Sequence, residues 1–362
     1  MRRLPALASL TLASLGLALI VAPAMAKDKT ETVLSTAVDG VIRPGYHRFT
    51  EASDAMVKTM DTLCADPSAA KVEAAKGAFD STIKAWGGIE FIRSGPALEK
   101  SRFERVLYYP DRKSIGLKQV QAILAKKDET ATKVEALEGK SVGVQGLTAL
   151  EFVLYGTGSD ALATEKDGHR CRYGAAIAGN LHQIATELST EWDRPGGIAD
   201  SWKTPGANNP VFRNEQEAVS ELLGTMVHGT ETVREQRIKG FYPVGDSPAN
   251  PKSALFWRSG KTFVMVTANL EGIGTLWNQA GMETLLKDDQ RSVASSIAFV
   301  LKSLARKAPL VTPDIEKAIS VPEEKAKVDY LLLNTKDAVT RMSDDYGKAL
   351  GLGAGFSFSD GD

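Results

Sequence analysis

Apolar residues recur at intervals of three and four along most of this chain, the spacing of amphipathic helices. Ala52 to Leu63 carries Ala52, Met56, Met60 and Leu63 on one face, and Asp66-Pro67 stops it. Lys71 to Arg93 repeats the pattern with Val72, Ala75, Phe79, Ile83, Trp86 and Phe91. The same spacing predicts shorter helices over Gly116 to Lys126, Ala131 to Leu137 and Val144 to Tyr155, the last closed by Gly156. Tyr173 to Trp192 ends at Pro195-Gly196-Gly197. Longer helices follow over Asn214 to Lys239, Pro251 to Ala280, Leu285 to Lys307 and Glu323 to Leu350. No stretch alternates apolar and polar residues as a half-buried strand does.

Many helices joined by short loops predict an all-α fold built from bundles. The Pro/Gly-rich stretch from Asp193 to Pro210 is the best boundary between two of them. We therefore expect two four-helix-bundle-like domains packed together, over 27–200 and 201–362. No internal repeat is strong enough to mark.

The first 26 residues form a separate unit. Arg2 and Arg3 precede an apolar run from Leu7 to Val21, and Ala24-Met25-Ala26 is an A-x-A cleavage site. This reads as a secretory signal peptide, with a mature chain from Lys27 that is exported, most simply to the periplasm. A membrane anchor is the alternative, disfavoured by the short run and the cleavage site. No later segment is long and apolar enough to span a bilayer. Lys+Arg 44 against Asp+Glu 45 leaves a net charge of -1, which gives no electrostatic case for nucleic acid or an anionic membrane as partner. The two cysteines, Cys64 and Cys171, make one disulfide the default in an oxidising compartment, against two buried thiols.

The most informative stretch is Gly146-Leu147-Thr148-Ala149-Leu150-Glu151, continuing through Phe152-Val153-Leu154-Tyr155 to Gly156. Phe103 to Asp111 carries an aromatic-Pro-Asp segment, Tyr109-Pro110-Asp111. Arg170-Cys171-Arg172-Tyr173 leads into Ala175-Ala176-Ile177-Ala178. Trp257-Arg258-Ser259-Gly260 is followed by Asn269-Leu270. The chain closes on Gly351-Leu352-Gly353-Ala354-Gly355-Phe356-Ser357 and Asp360-Gly361-Asp362. In combination these segments resemble the imelysin family across nearly the whole mature chain. That family's signature is GxHxxE before an apolar run ending in an aromatic residue and Gly. Here Gly146 and Glu151 match, and Thr148 stands in the His position. The resemblance implies two related four-helix bundles, an exported location, an association with iron acquisition and a metallopeptidase label.

As a helix, the signature places Thr148, Glu151 and Tyr155 on one face at i, i+3 and i+7, beside a face of Leu147, Leu150 and Leu154. One carboxylate and two hydroxyls would then share a space, with Glu151 the one metal-binding candidate. Iron or another divalent metal is the cofactor this allows. Thr148 neither titrates nor replaces imidazole as a ligand, and a zinc peptidase needs three protein ligands and an open position. The bland alternative is a buried, hydrogen-bonded carboxylate that braces the bundles. Trp86, Glu90 and Arg93 form a second polar-aromatic face. Glu90 and Arg93 either pair with each other at i, i+3, or Arg93 reaches Glu151 as its partner. Arg43-Pro44-Gly45-Tyr46-His47 interrupts a helical pattern, and Pro44-Gly45 is expected to break or kink the helix. The resemblance implies that Tyr46 and His47 line an inter-bundle site; an ordinary helix-start loop is the alternative.

His228 and Glu231 form a second HxxE, and Glu221, His228, Glu231 and Glu235 fall along one helical stripe. A metal site there is geometrically possible, and a solvated acidic face is the simpler reading. His169 and His182 stand alone. There is no phosphate-cradling Gly loop, GxSxG, HExxH, CxxC or haem-attachment CxxCH. The functions left are a non-catalytic pocket protein of iron acquisition, a metallopeptidase-like enzyme, and an envelope interaction module. The corresponding partners are a small ligand or metal ion, envelope iron-uptake proteins, or a protein or peptide in the inter-bundle groove.

Overall fold

A computed structural model describes residues 27–352 apart from 244, 246 and 247. The expected signal peptide and residues 353–362 of the C-terminal ending lie outside the described residues. Within them the chain is all-α, with no strand. The first half holds α1 (Lys27–Thr36), α2 (Arg43–Ala65), α3 (Ala69–Gly87), α4 (Arg102–Val106), α5 (Ile115–Lys126), α6 (Val134–Glu138), α7 (Leu147–Tyr155), α8 (His169–Asp193) and α9 (Ile198–Lys203). The second half holds α10 (Glu215–Thr232), α11 (Thr262–Gln279), α12 (Arg291–Lys307), α13 (Ile315–Ser320), α14 (Pro322–Thr340) and α15 (Gly347–Ala349).

Helices α2, α3, α7 and α8 pack together in the first half, and α10, α11, α12 and α14 in the second. The two sets share one continuous hydrophobic core, and α1 crosses over to pack on α10. The main junction is α3 against α11. It is close because Gly272 faces the backbone: a Cβ there would lie 2.4 Å from the Gly88 carbonyl oxygen. The Asn269 amide, one turn earlier, donates to the Gly87 carbonyl at 2.8 Å and takes up an orphan acceptor at the end of α3.

Antiparallel α2 and α8 are tied at both ends. Cys64 and Cys171 form a disulfide at one end. At the other, Asp193 accepts from the Arg43 Nε at 2.8 Å and pairs with the His47 Nε2 at 2.7 Å. The kink expected at Pro44-Gly45 takes another form. The chain widens into a π-helical turn over Ala37–Ile42, and Pro44 falls in the first turn of α2, where its missing N–H costs least.

Other boundaries move for similar reasons. The helix expected to run from Lys71 to Arg93 stops at Gly87, because α11 crosses there. The helix expected from Pro251 begins at Thr262, after a tight turn. π-Helical turns over Val233–Ile238 and Arg341–Tyr346 extend α10 and α14.

Candidate functional site

The signature becomes α7, which buries Leu147, Leu150, Val153 and Leu154 and packs on α3 and α8. Gly146 is required at its start: a Cβ there would stand 2.4 Å from the Val106 carbonyl oxygen and 2.5 Å from that of Arg105. The approach is fixed by buried Arg105, which donates to Gln145 Oε1 and to Asn180 Oδ1, both at 2.8 Å. Asn180 in turn donates to the Gln145 carbonyl at 2.9 Å. The far end of α7 is closed by Arg170, whose Nη1 donates to the Phe152 and Val153 carbonyls at 3.1 and 2.9 Å. Both ends of α7 are thus set by residues from other helices, and Glu151 is held in one place.

Glu151 is buried, with 3% of its surface exposed. Its Oε1 accepts from the Ser259 amide and the Ser259 hydroxyl, both at 2.9 Å. Its Oε2 lies 3.9 Å from Arg258 Nη1, too long for a hydrogen bond. Burial pushes the Glu151 carboxyl above its ordinary range; the Ser259 bonds and the Arg258 charge oppose this without cancelling it. The Ser259 turn is rigid. Thr262 Oγ1 donates to the Leu255 carbonyl at 2.6 Å, and the Lys261 amide to that of Phe256 at 3.0 Å. Phe256 is held at φ +58 and packs edge-on against Phe79. Two segments, 108 residues apart in sequence, therefore meet at one carboxylate.

Above this contact lies a cavity of about 330 Å³. Thr148, Glu151 and Phe152 form one wall, and Tyr108, Tyr109, Asp111 and Arg112 another. Glu235, Lys252, Trp257 and Arg258 close it from the second half of the chain. Arg258 is held by its flat faces, 4.5 Å from the Trp257 ring centroid and 5.5 Å from that of Phe152. Half-burial lowers its pKa, against the opposing charge of Glu151.

Of the eight residues expected to bind, Thr148 and Glu151 line this cavity; the other six lie elsewhere. Tyr155 packs on Phe79 beneath Lys76, and burial raises its pKa to about 12. Tyr46 is buried against Trp192. His47 is half-exposed in the Asp193 ion pair. Trp86 fills the core between Phe49 and Phe103.

Glu90 and Arg93 lie beyond the end of α3, so they share no helical face with Trp86. Neither expected pairing of Arg93 forms. Glu90 is paired with Arg237, at 2.9 and 3.2 Å, and Arg93 lies over the Phe103 ring at 4.3 Å. The guanidinium that reaches Glu151 is that of Arg258. The Trp257-Arg258-Ser259-Gly260 segment was visible in the sequence only as one of the stretches carrying the family resemblance, inside a helix expected over Pro251 to Ala280. Nothing local assigned it to Glu151.

A metal does not fit these residues. Glu151 spends one oxygen on Ser259 and turns the other toward a cation. Among the described residues no group of three His, Cys, Asp or Glu side chains could hold an ion. On the acidic stripe, His228 Nδ1 pairs with Glu231 at 3.1 Å, and Glu235 is engaged by Lys239 at 2.9 Å. Glu221 is half-buried, and its carboxyl is raised by that burial.

The family model described as Imelysin, of the peptidase M75 class, matches residues 42–342. The chain belongs to the imelysin family. Two solved structures share its fold. One is an imelysin-like protein from Psychrobacter arcticum 273-4, with TM-score 0.78, 18% identity, 93% of this chain and 100% of that one covered. The other, named as an iron-regulated protein A precursor, is from Parabacteroides distasonis ATCC 8503. It has TM-score 0.74 and 14% identity, with 90% and 96% covered. No curated protein matches the chain. In this imelysin, then, Gly146 and Glu151 have structural roles that the surrounding residues explain, and Thr148 lines the cavity wall.

Proposed function

We propose that this imelysin is an exported, non-catalytic binding protein of iron acquisition, with its ligand held in the Glu151 cavity between two helical bundles. The observation that carries the reading is the closure of the signature helix and the Trp257–Gly260 turn around one cavity, with Glu151 itself consumed by the protein. A cavity of this size is at the small end of the range for small-molecule sites, about 300–1,000 Å³. The iron-regulated name of the Parabacteroides structure supports the iron association. The A-x-A site after Arg2 and Arg3 supports export, with envelope iron-uptake proteins as partners. Against a peptidase reading, the described residues offer no set of three protein ligands such as a catalytic zinc needs. Chelator-sensitive proteolysis that disappears in Glu151→Ala would restore it.

The test is growth of a deletion strain under iron limitation, complemented by wild type or by Thr148→Trp, which fills the cavity wall. We expect wild type to restore growth, and the variant, folded with an unchanged Tm, to fail. A deletion with no iron-dependent defect, or full rescue by Thr148→Trp, would contradict the reading.

A further inference from the structure

The charged residues around the Glu151 cavity divide unevenly. Each carboxylate is already engaged by the protein. Glu151 accepts two bonds from Ser259. Asp111 accepts the backbone amides of Ile115 and Leu117 at 2.7 and 3.0 Å and closes the start of α5. Glu235 accepts from Lys239 at 3.0 and 2.9 Å. The cations are not engaged in this way. Arg258, with its side chain 20% exposed, forms no closer polar contact than 3.9 Å. Its five N–H donors are aimed by the stacking on Trp257 and Phe152, yet none is spent on an acceptor among the described residues. Lys252 lies over the Trp257 ring at 5.9 Å, and Arg112 is exposed at the mouth; neither has a carboxylate partner among the described residues. Tyr108, Phe152 and Trp257 add aromatic surface to the walls.

A bare cation entering here would meet three cationic side chains and, among the described lining residues, no carboxylate free of a protein donor. An anion would meet a half-buried guanidinium with a full set of free donors, where a charge-assisted, forked contact is strong. We propose that the cavity takes a small organic polycarboxylate, one carboxylate on Arg258 and the others toward Lys252 and Arg112. Iron reaching the site then arrives as an anionic carboxylate chelate, not as the bare ion. This rests on the cavity being the ligand site, and it names the chemistry of that ligand.

The experiment is calorimetric titration of the full chain purified after export, at low salt, with four probes: citrate, ferric citrate, inorganic phosphate, and ferrous chloride under anaerobic conditions. Citrate or ferric citrate is expected to bind one to one. Arg258→Met should weaken that binding at least about tenfold, and Arg258→Lys by less, because a point charge keeps the attraction but loses the fork. Lys252→Met, on the exposed mouth, guards against a folding defect at Arg258 and should weaken binding by a smaller factor. Ferrous ion alone should bind no tighter than it does to Arg258→Met. The proposal is overturned if neither citrate form binds, if phosphate binds as tightly as citrate, or if ferrous ion binds and citrate does not. Binding that is unchanged in both Arg258→Met and Lys252→Met also overturns it. Those results leave the cavity reading standing so long as Thr148→Trp still fails to restore iron-limited growth.

Discussion

Replacing Glu90 by Ala removes one half of an ion pair sealed inside the protein. Glu90 and Arg237 are 3% and 1% exposed, and the Arg237 Nη2 holds both carboxylate oxygens. Arg237 Nε and Nη1 have no acceptor among the described residues. The Tyr109 ring, 5.0 Å away, gives it further electrostatic support. Without Glu90 the guanidinium is a buried charge with no counter-ion, a change that costs about 3–5 kcal/mol. Unfolding entropy near 2.1 cal/mol/K per residue, over about 320 residues, gives roughly 0.7 kcal/mol/K, so the Tm should fall by about 4–7 °C. Replacing both partners, as Glu90→Leu with Arg237→Met, removes the charge along with its partner and should recover most of the loss. Differential scanning calorimetry of Glu90→Leu, Arg237→Met and their double variant, beside Glu90→Ala, measures the cycle. A Glu90→Ala cost below about 1 kcal/mol, or a double variant as unstable as the sum of the singles, would refute a sealed pair joining the end of α3 to the second half of the chain.

Glu151→Gln tests the burial of the signature carboxylate. Because burial raises its pKa above the ordinary 4.5, the folded chain holds this proton where the unfolded chain has lost it. Stability from this group therefore falls as pH rises from 4.5 to the folded pKa. The Tm of Glu151→Gln minus that of wild type should become more positive with pH over that window; a flat difference contradicts the assignment. Replacing Cys64 and Cys171 together by Ala releases a loop spanning 107 residues and should cost about 2–5 kcal/mol, read by chemical denaturation. Gly272→Ala sets a methyl 2.4 Å from the Gly88 carbonyl oxygen and should destabilise by about 1–3 kcal/mol as α3 and α11 move apart. A neutral result would mean that the junction is not tightly packed.

The apolar periodicity made most of the helices legible, because each buries one face and its 3.6-residue spacing survives in the sequence. Their ends were less so. Pro44 looked like a break because a single sequence does not show that a π-turn upstream can place it in a first turn. The end of α3 at Gly87 is set by Asn269 and Gly272, nearly two hundred residues away. The Trp86, Glu90 and Arg93 face dissolved with that boundary. Short α9 and α13 carried too few apolar repeats to register. In the site, the special status of Gly146 and Glu151 was visible. The identity of the partner, Arg258 and Ser259 in place of Arg93, depends on which turn crosses α7, and periodicity has no access to that.

The central claim is that this imelysin holds its iron-linked ligand in the cavity walled by Thr148, Phe152, Trp257 and Arg258. Crystals of the full chain soaked in ferric citrate, with data collected at the iron absorption edge, locate the metal directly. The account predicts an anomalous peak inside that cavity, with chelate density between it and the Arg258 guanidinium. A peak bound directly by Glu151 with Ser259 displaced, or one at the His228–Glu231 pair with the cavity empty, would contradict it.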